Sequence, residues 1–299
     1  KKMRKQSLLI LFGWNGVVDE VRANSMSAVC VNASYVLPLR RRDAAAVVKK
    51  FQDAPNWREV LIKKAKNGRA LEVGGPSEFL VGLYQLAWDS YDILNLESTM
   101  SKWQPMYGAK NGAGIRPGAT FYVDDIPKGR LLSPQYIDLS NYTTLIALHT
   151  LEHFVDPIGA LKYWRKALVD YGLLVLMLPW PPATFDKFVP VSTMYDLLLD
   201  HMAAQTPSLA DHQALESRAR MYAALVDQNN YNRSEIFPPS HISYAQAALN
   251  EPMHHWTVWD FALIEDALHC TGFSLLSLQL VDNWHQLALA TKIPLSSPP

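Results

Sequence analysis

Short apolar strands alternate with helical segments, and the first strand closes on a glycine turn. This pattern restricts the chain to a layered α/β fold. Arg69-Ala70-Leu71-Glu72-Val73 is a brief apolar run ending in Gly74-Gly75-Pro76-Ser77. Ser77 is placed to cap a helix carrying Phe79, Leu80, Leu83, Tyr84 and Leu86. Further strands are expected at 91–96, 120–123, 145–148 and 173–178, the last stopping at Pro179. A helix over 57–66 is halted by Asn67-Gly68. Another, over 157–169, opens on Pro157, carries Ile158, Leu161, Trp164 and Leu168 at helical spacing, and stops at Tyr171-Gly172. A last helix over 258–270 precedes runs at 273–281 and 286–291, which read as a hairpin about Asp282-Asn283. Crossovers between parallel strands are right-handed, so the expected architecture is a doubly wound, mostly parallel sheet with an antiparallel C-terminal hairpin.

Residues 180–251 interrupt this rhythm with two helical stretches, 192–205 and 208–228, and proline-containing joints. Connections in compact domains usually run about 4–6 residues, so this segment reads as an inserted helical cap. The organisation expected is an N-terminal extension, 1–56, and a domain over 57–299 that carries the cap. Lys1, Lys2, Arg4 and Lys5 precede Leu8-Leu9-Ile10-Leu11-Phe12, with Trp14, Val17 and Val18 beyond. That order fits a targeting segment, or a basic tail ahead of a buried or interfacial helix. Residues 1–18 are accordingly an expected contact with a membrane surface or a partner protein. The basic cluster from Arg40-Arg41-Arg42 to Lys49-Lys50, with alanines between, reads as an exposed helix face.

With 49% of 299 residues hydrophobic and 19% charged, the chain has ample material for a buried core. Lys plus Arg and Asp plus Glu both number 28, and this neutrality argues against general nucleic-acid binding. Two cysteines, Cys30 and Cys270, are too few for a disulfide framework or a four-thiolate zinc site, and are expected as two separate buried thiols.

Acids recur at successive strand ends. Glu72 precedes the Gly74-Gly75 turn, where the absence of side chains lets backbone approach a ligand closely. Glu97 follows Gly74 by 23 positions, the spacing of a ribose-binding carboxylate in doubly wound folds. Asp124-Asp125 ends the third strand, where either can accept from an adenine amino group. A dehydrogenase fingerprint is excluded by Pro76 and Phe79, and no Gly-Lys-Ser or Gly-Lys-Thr of a Walker loop occurs. The ligand expected is an adenosine compound without a diphosphate.

Leu71-Glu72-Val73-Gly74-Gly75-Pro76-Ser77 and Ala147-Leu148-His149-Thr150-Leu151-Glu152-His153-Phe154-Val155-Asp156-Pro157 carry a resemblance. The second stretch continues through Leu161, Trp164, Leu168 and Gly172 to Leu178-Pro179. Together they resemble the class I S-adenosylmethionine-dependent methyltransferases, in particular their small-molecule methyltransferase-like group. The resemblance covers about residues 69–291, loosely over 179–251, and implies a Rossmann-like fold. It further implies that Glu72 and the turn Gly74, Gly75, Pro76 and Ser77 face the methionine part of S-adenosylmethionine. By the same resemblance Glu97 binds the ribose, Asp124 or Asp125 the adenine, and Leu148 and His149 line the methyl-transfer side.

A sulfonium methyl is already electrophilic, so the protein needs mainly to place an acceptor in line and exclude water. A base is needed only where the acceptor must lose a proton early. His149, just past the fourth strand, is the expected catalytic residue; packing is the other role open to it. Glu152 and His153 are expected to fix the loop before the Pro157 helix. Among His201, His241, His254 and His255 only the last two are adjacent, and sequence neighbours rarely share a metal, so no metal ligand is expected. Aromatic residues of the cap region, among them Trp180, Tyr195 and Trp259, form either a cap core or an apolar acceptor pocket. Two functions remain: methyl transfer to a small-molecule or protein acceptor, and a catalytically inactive methyltransferase-like subunit with a binding or structural role in a larger assembly, at a membrane or away from one.

Overall fold

The computed structural model describes residues 29–31, 43–51, 56–65, 68–75, 77, 90–96, 120–123, 140–154, 156–205 and 255–294. The elements in chain order begin with α1 (Ala44–Lys50), α2 (Trp57–Ala65), β1 (Arg69–Val73), β2 (Ser90–Leu96) and β3 (Thr120–Val123). They continue with β4 (Tyr142–Leu148), α3 (Pro157–Ala167), β5 (Leu168–Pro179) and α4 (Met194–Gln205). The chain ends in α5 (Phe261–Cys270), β6 (Phe273–Val281) and β7 (His285–Lys292).

These seven strands form one sheet in the order β3-β2-β1-β4-β5-β7-β6. β1 pairs in parallel with β2 and β4, β2 with β3, and β4 with β5. β7 runs antiparallel between β5 and β6. This is the doubly wound, Rossmann-like sheet with an antiparallel C-terminal hairpin that the sequence led us to expect. The chain order reverses between β1 and β4, and the crevice outside the carboxyl ends of such strands is where ligands of these sheets bind.

Strand alternation builds two cores. Leu145 and Ala147 of β4 face one side, with Leu174, Leu176 and Leu178 of β5, and are covered by α3, α4 and α5. Ile146 and Leu148 face the other side, with Val175 and Met177, against Trp57 and Leu61 of α2. At the amino-terminal edge, Tyr142 Oη donates to the buried Asp92 at 2.7 Å and Arg69 Nη2 donates to the same carboxylate at 3.0 Å. A buried carboxylate is kept there by two donors.

Three sequence expectations change. First, Tyr171-Gly172 does not end α3. The helix stops at Ala167, Leu168 is already extended, and Leu168 pairs with Tyr142. Tyr171, at φ 61°, lies inside β5, where the register with β4 shifts. Second, the cysteines are not separate thiols: Cys30 and Cys270 form a disulfide. Val31 N also donates to Cys270 O at 2.9 Å, which seats residues 29–31 against the end of α5. Third, residues from the expected N-terminal extension join the domain. Val47 of α1 is buried in the larger core, and Lys50 pairs with Glu265 of α5 at 3.3 Å. Ala45, Ala46, Lys49 and Lys50 are exposed, in keeping with a solvated basic face. The segment 1–18 lies outside the described residues. No helix among the described residues is long and apolar enough to cross a membrane.

Candidate functional site

β1 ends at the switch point on Glu72-Val73, and the backbone then turns through Gly74 at φ 84°. That conformation suits glycine and strains most other residues. Ser77 N donates to Glu72 Oε2 at 3.4 Å, so the buried Glu72 carboxylate lies beneath the turn. A side chain at Gly75 would collide with that carboxylate. Thr150 Oγ1 contacts both Val73 O and Leu148 O at 3.0 Å, tying the ends of β1 and β4 together. Leu148 is buried there. Glu72, Gly74, Gly75, Ser77, Leu148 and His149 thus gather at one carboxyl edge. Pro76, Glu97, Asp124 and Asp125 lie outside the described residues.

His149 follows Leu148 in the left-handed region, φ 50°, with its backbone N–H donating to Met177 O at 2.9 Å. This turn swings the ring out of the sheet and leaves the side chain 39% exposed. Its Nε2 lies 2.8 Å from His285 Nδ1 at the start of β7, and its Nδ1 lies 3.4 Å from Glu152 Oε1. Burial holds the His285 ring below the ordinary histidine pKa of 6.5; the neighbouring His149 adds to this and Asp282 opposes it.

The tight turn Leu151–His153 carries Glu152 into the interior, with no exposed surface. Burial alone pushes its carboxyl up, but the His149 contact and the positive charge of His153, His149 and His255 bring it down to about 2. Residues 255–257 border this turn, and 180–205 lie beyond them. Trp256 N donates to Glu152 O at 2.7 Å, and Trp180 N to Trp284 O at 2.8 Å. His255 Nδ1 lies 2.8 Å from Asp186 Oδ2, both groups being buried. The His255 and His153 rings meet edge to face at 4.8 Å. Nearby, His201 of α4 is read from its partners as donating Nδ1–H to Asp156, at 2.9 Å, and accepting from Lys162 through Nε2, at 3.1 Å. Asp156 also caps α3, accepting from Gly159 N at 2.7 Å, an arrangement worth about 1 kcal/mol. Lys162 is pushed down by burial, opposed by Asp156 and reinforced by Lys166.

Sequence reasoning placed Glu152 and His153 as loop-fixing residues and did not join them to His255, Asp186 or His285. The doublet Glu152-His153 stood in the motif, but the partners come from about 30, 100 and 130 residues further on.

No family model and no curated protein matches the chain in sequence. Among solved structures, it is similar to the CurJ carbon methyltransferase, at 14% identity and a TM-score of 0.39, over 77% of this chain and 50% of that one. It is similar to a putative methyltransferase from Bacillus halodurans C-125, at 12% identity and a TM-score of 0.43, over 80% and 99% of the two chains. It is also similar to magnesium protoporphyrin IX methyltransferase from Synechocystis PCC 6803, at 12% identity and a TM-score of 0.41, over 93% and 88%. The chain therefore spans about half the length of the first of these. Likeness at this level bears on neither activity nor acceptor. The doubly wound sheet with its reversal at β1 and β4 and its antiparallel hairpin gives the chain a Rossmann-like α/β fold.

Proposed function

We propose that this protein transfers the methyl group of S-adenosylmethionine to a small-molecule or protein acceptor at the carboxyl edge of the sheet. The observation that carries the reading is the β1 turn, where the Glu72 carboxylate lies under Gly74–Ser77 beside the end of β4, at the switch point. In this reading the turn receives the methionine part of the cofactor, Glu97 the ribose hydroxyls, and Asp124 or Asp125 the adenine. Leu148 supplies an apolar floor near the reacting methyl. The acceptor approaches from the side of His149 and His285, under the cap formed by residues 180–251. Two placements support that cap: Trp180 against Trp284, and Asp186 against His255.

The chain's own part in the chemistry is positional. The glycine turn and Leu148 hold the sulfonium, the buried wall excludes water, and His149 takes the acceptor proton where the acceptor has one to lose. With Nδ1 toward Glu152 and Nε2 on His285 Nδ1, His149 takes such a proton on Nε2 only when the His285 contact opens.

The test is the formation of S-adenosylhomocysteine together with a product one methyl heavier, using the full chain and fractionated small molecules or proteins as acceptors. Turnover abolished in Gly75→Val supports the reading. Tight cofactor binding with no transfer to any fraction would instead favour the catalytically inactive subunit.

A further inference from the structure

We infer that Glu152, His153 and His255 form a binding site for one divalent transition-metal ion, with Asp186 orienting His255 as a ligand. One oxygen or nitrogen from each of the three residues lies within 4.8 Å of the others. Two imidazoles and one carboxylate suit ions such as Zn²⁺, Fe²⁺ or Co²⁺ and are poorly matched to Mg²⁺ or Ca²⁺, which prefer oxygen shells.

Two independent features point to an ion. Glu152 has no exposed surface, and neither of its carboxylate oxygens receives a hydrogen bond. The nearest ring nitrogen, His149 Nδ1, stays at 3.4 Å, a long contact. A carboxylate buried without donors is costly, and a cation beside it removes the cost. The second feature is the pair Asp186–His255. A carboxylate on one ring nitrogen is the usual outer partner of a ligating histidine, and it fixes Nε2 as the atom that meets the metal.

Metal–ligand bonds of about 2.0–2.2 Å bring donor atoms to roughly 3.4 Å of one another. The cluster, whose donor atoms lie within 4.8 Å of one another, therefore contracts by up to about 1.4 Å on binding. Three protein ligands leave a fourth position for water or a ligand oxygen, the pattern of catalytic rather than structural zinc.

The test uses the full chain, stripped with a chelator, and titrated with Co²⁺. We expect one Co²⁺ per chain with the visible absorption of a low-coordinate nitrogen–oxygen site, displaced by Zn²⁺ and not by Mg²⁺. His255→Ala and Glu152→Gln should lose the absorption, and Asp186→Asn should weaken binding about 10–100-fold. Circular dichroism establishes that each variant is folded. Metal-free Glu152→Gln should melt no lower than the metal-free parent, since it removes a buried charge. Wild-type Co²⁺ binding that is absent, substoichiometric, or unchanged in His255→Ala and Glu152→Gln would overturn the assignment. A lower midpoint for metal-free Glu152→Gln would overturn it too, because Glu152 would then be a structural partner of protonated histidines. No cofactor enters these readings, so they stand apart from the methyl-transfer proposal.

Discussion

His149 Nε2 stands 2.8 Å from His285 Nδ1, joining the end of β4 to the start of β7 across the end of β5. The second nitrogen of His149 faces the Glu152 carboxylate. A ring held between an acid and a second imidazole is suited to taking a proton and passing it outward. His149→Gln should lower kcat for methyl transfer to a hydroxyl or amine acceptor by about 10²–10⁴-fold. S-adenosylhomocysteine affinity should stay as in the parent, and titration beside the rate measurement separates the two. An equal loss in both would make His149 a packing residue.

His285 sets a pH dependence of stability. Its pKa is lowered in the folded chain, so below about 6.5 the unfolded chain binds a proton that the native ring resists. Stability from this group is present above that pH and is lost on acidification. Thermal midpoints at about pH 7.5 and pH 5.5 should therefore drop less in His285→Asn than in the parent. A larger drop in the variant would reverse the sign of the argument.

The disulfide Cys30–Cys270 spans 240 residues and ties residues 29–31 to the end of α5. Bridges closing long loops commonly add about 2–4 kcal/mol, chiefly by restricting the unfolded chain. A strong reductant should lower the thermal midpoint by several degrees, and Cys30→Ser with Cys270→Ser should match the reduced parent. No change in midpoint, with free thiols counted before and after, would mean that the bridge adds nothing.

Much of this architecture was legible in local sequence. The strands at 120–123 and 273–281 agree with β3 and β6 to the residue, because apolar runs and flanking turn residues bound them. The end of β5 was readable from Pro179, but its beginning was not. Tyr171-Gly172 looks like a helix stop, yet long-range pairing of Leu168 with Tyr142 ends α3 earlier. The disulfide was invisible for the same reason of distance. The placing of Glu72, the glycine turn and His149 at one carboxyl edge was readable because each lies on or just past a strand end. The gathering of Glu152, His153, Asp186 and His255 depends on where the chain returns after the 180–251 segment, and Trp256 N to Glu152 O is a tertiary contact.

Glu97 is the ribose ligand in this account. Glu97→Ala should weaken S-adenosylmethionine binding by about 1–3 kcal/mol, the worth of hydrogen bonds to a charged group. Calorimetry reads this directly, and unchanged affinity would remove Glu97 from the site.

The central claim is that the β1 turn holds the cofactor. Its most direct test is calorimetric titration of the full chain with S-adenosylhomocysteine, beside Gly75→Val, whose new side chain would collide with the Glu72 carboxylate. The account predicts saturable one-to-one binding to the parent and none to a Gly75→Val variant that remains folded by circular dichroism. Absence of binding to the parent, or equal binding to both proteins, would contradict it.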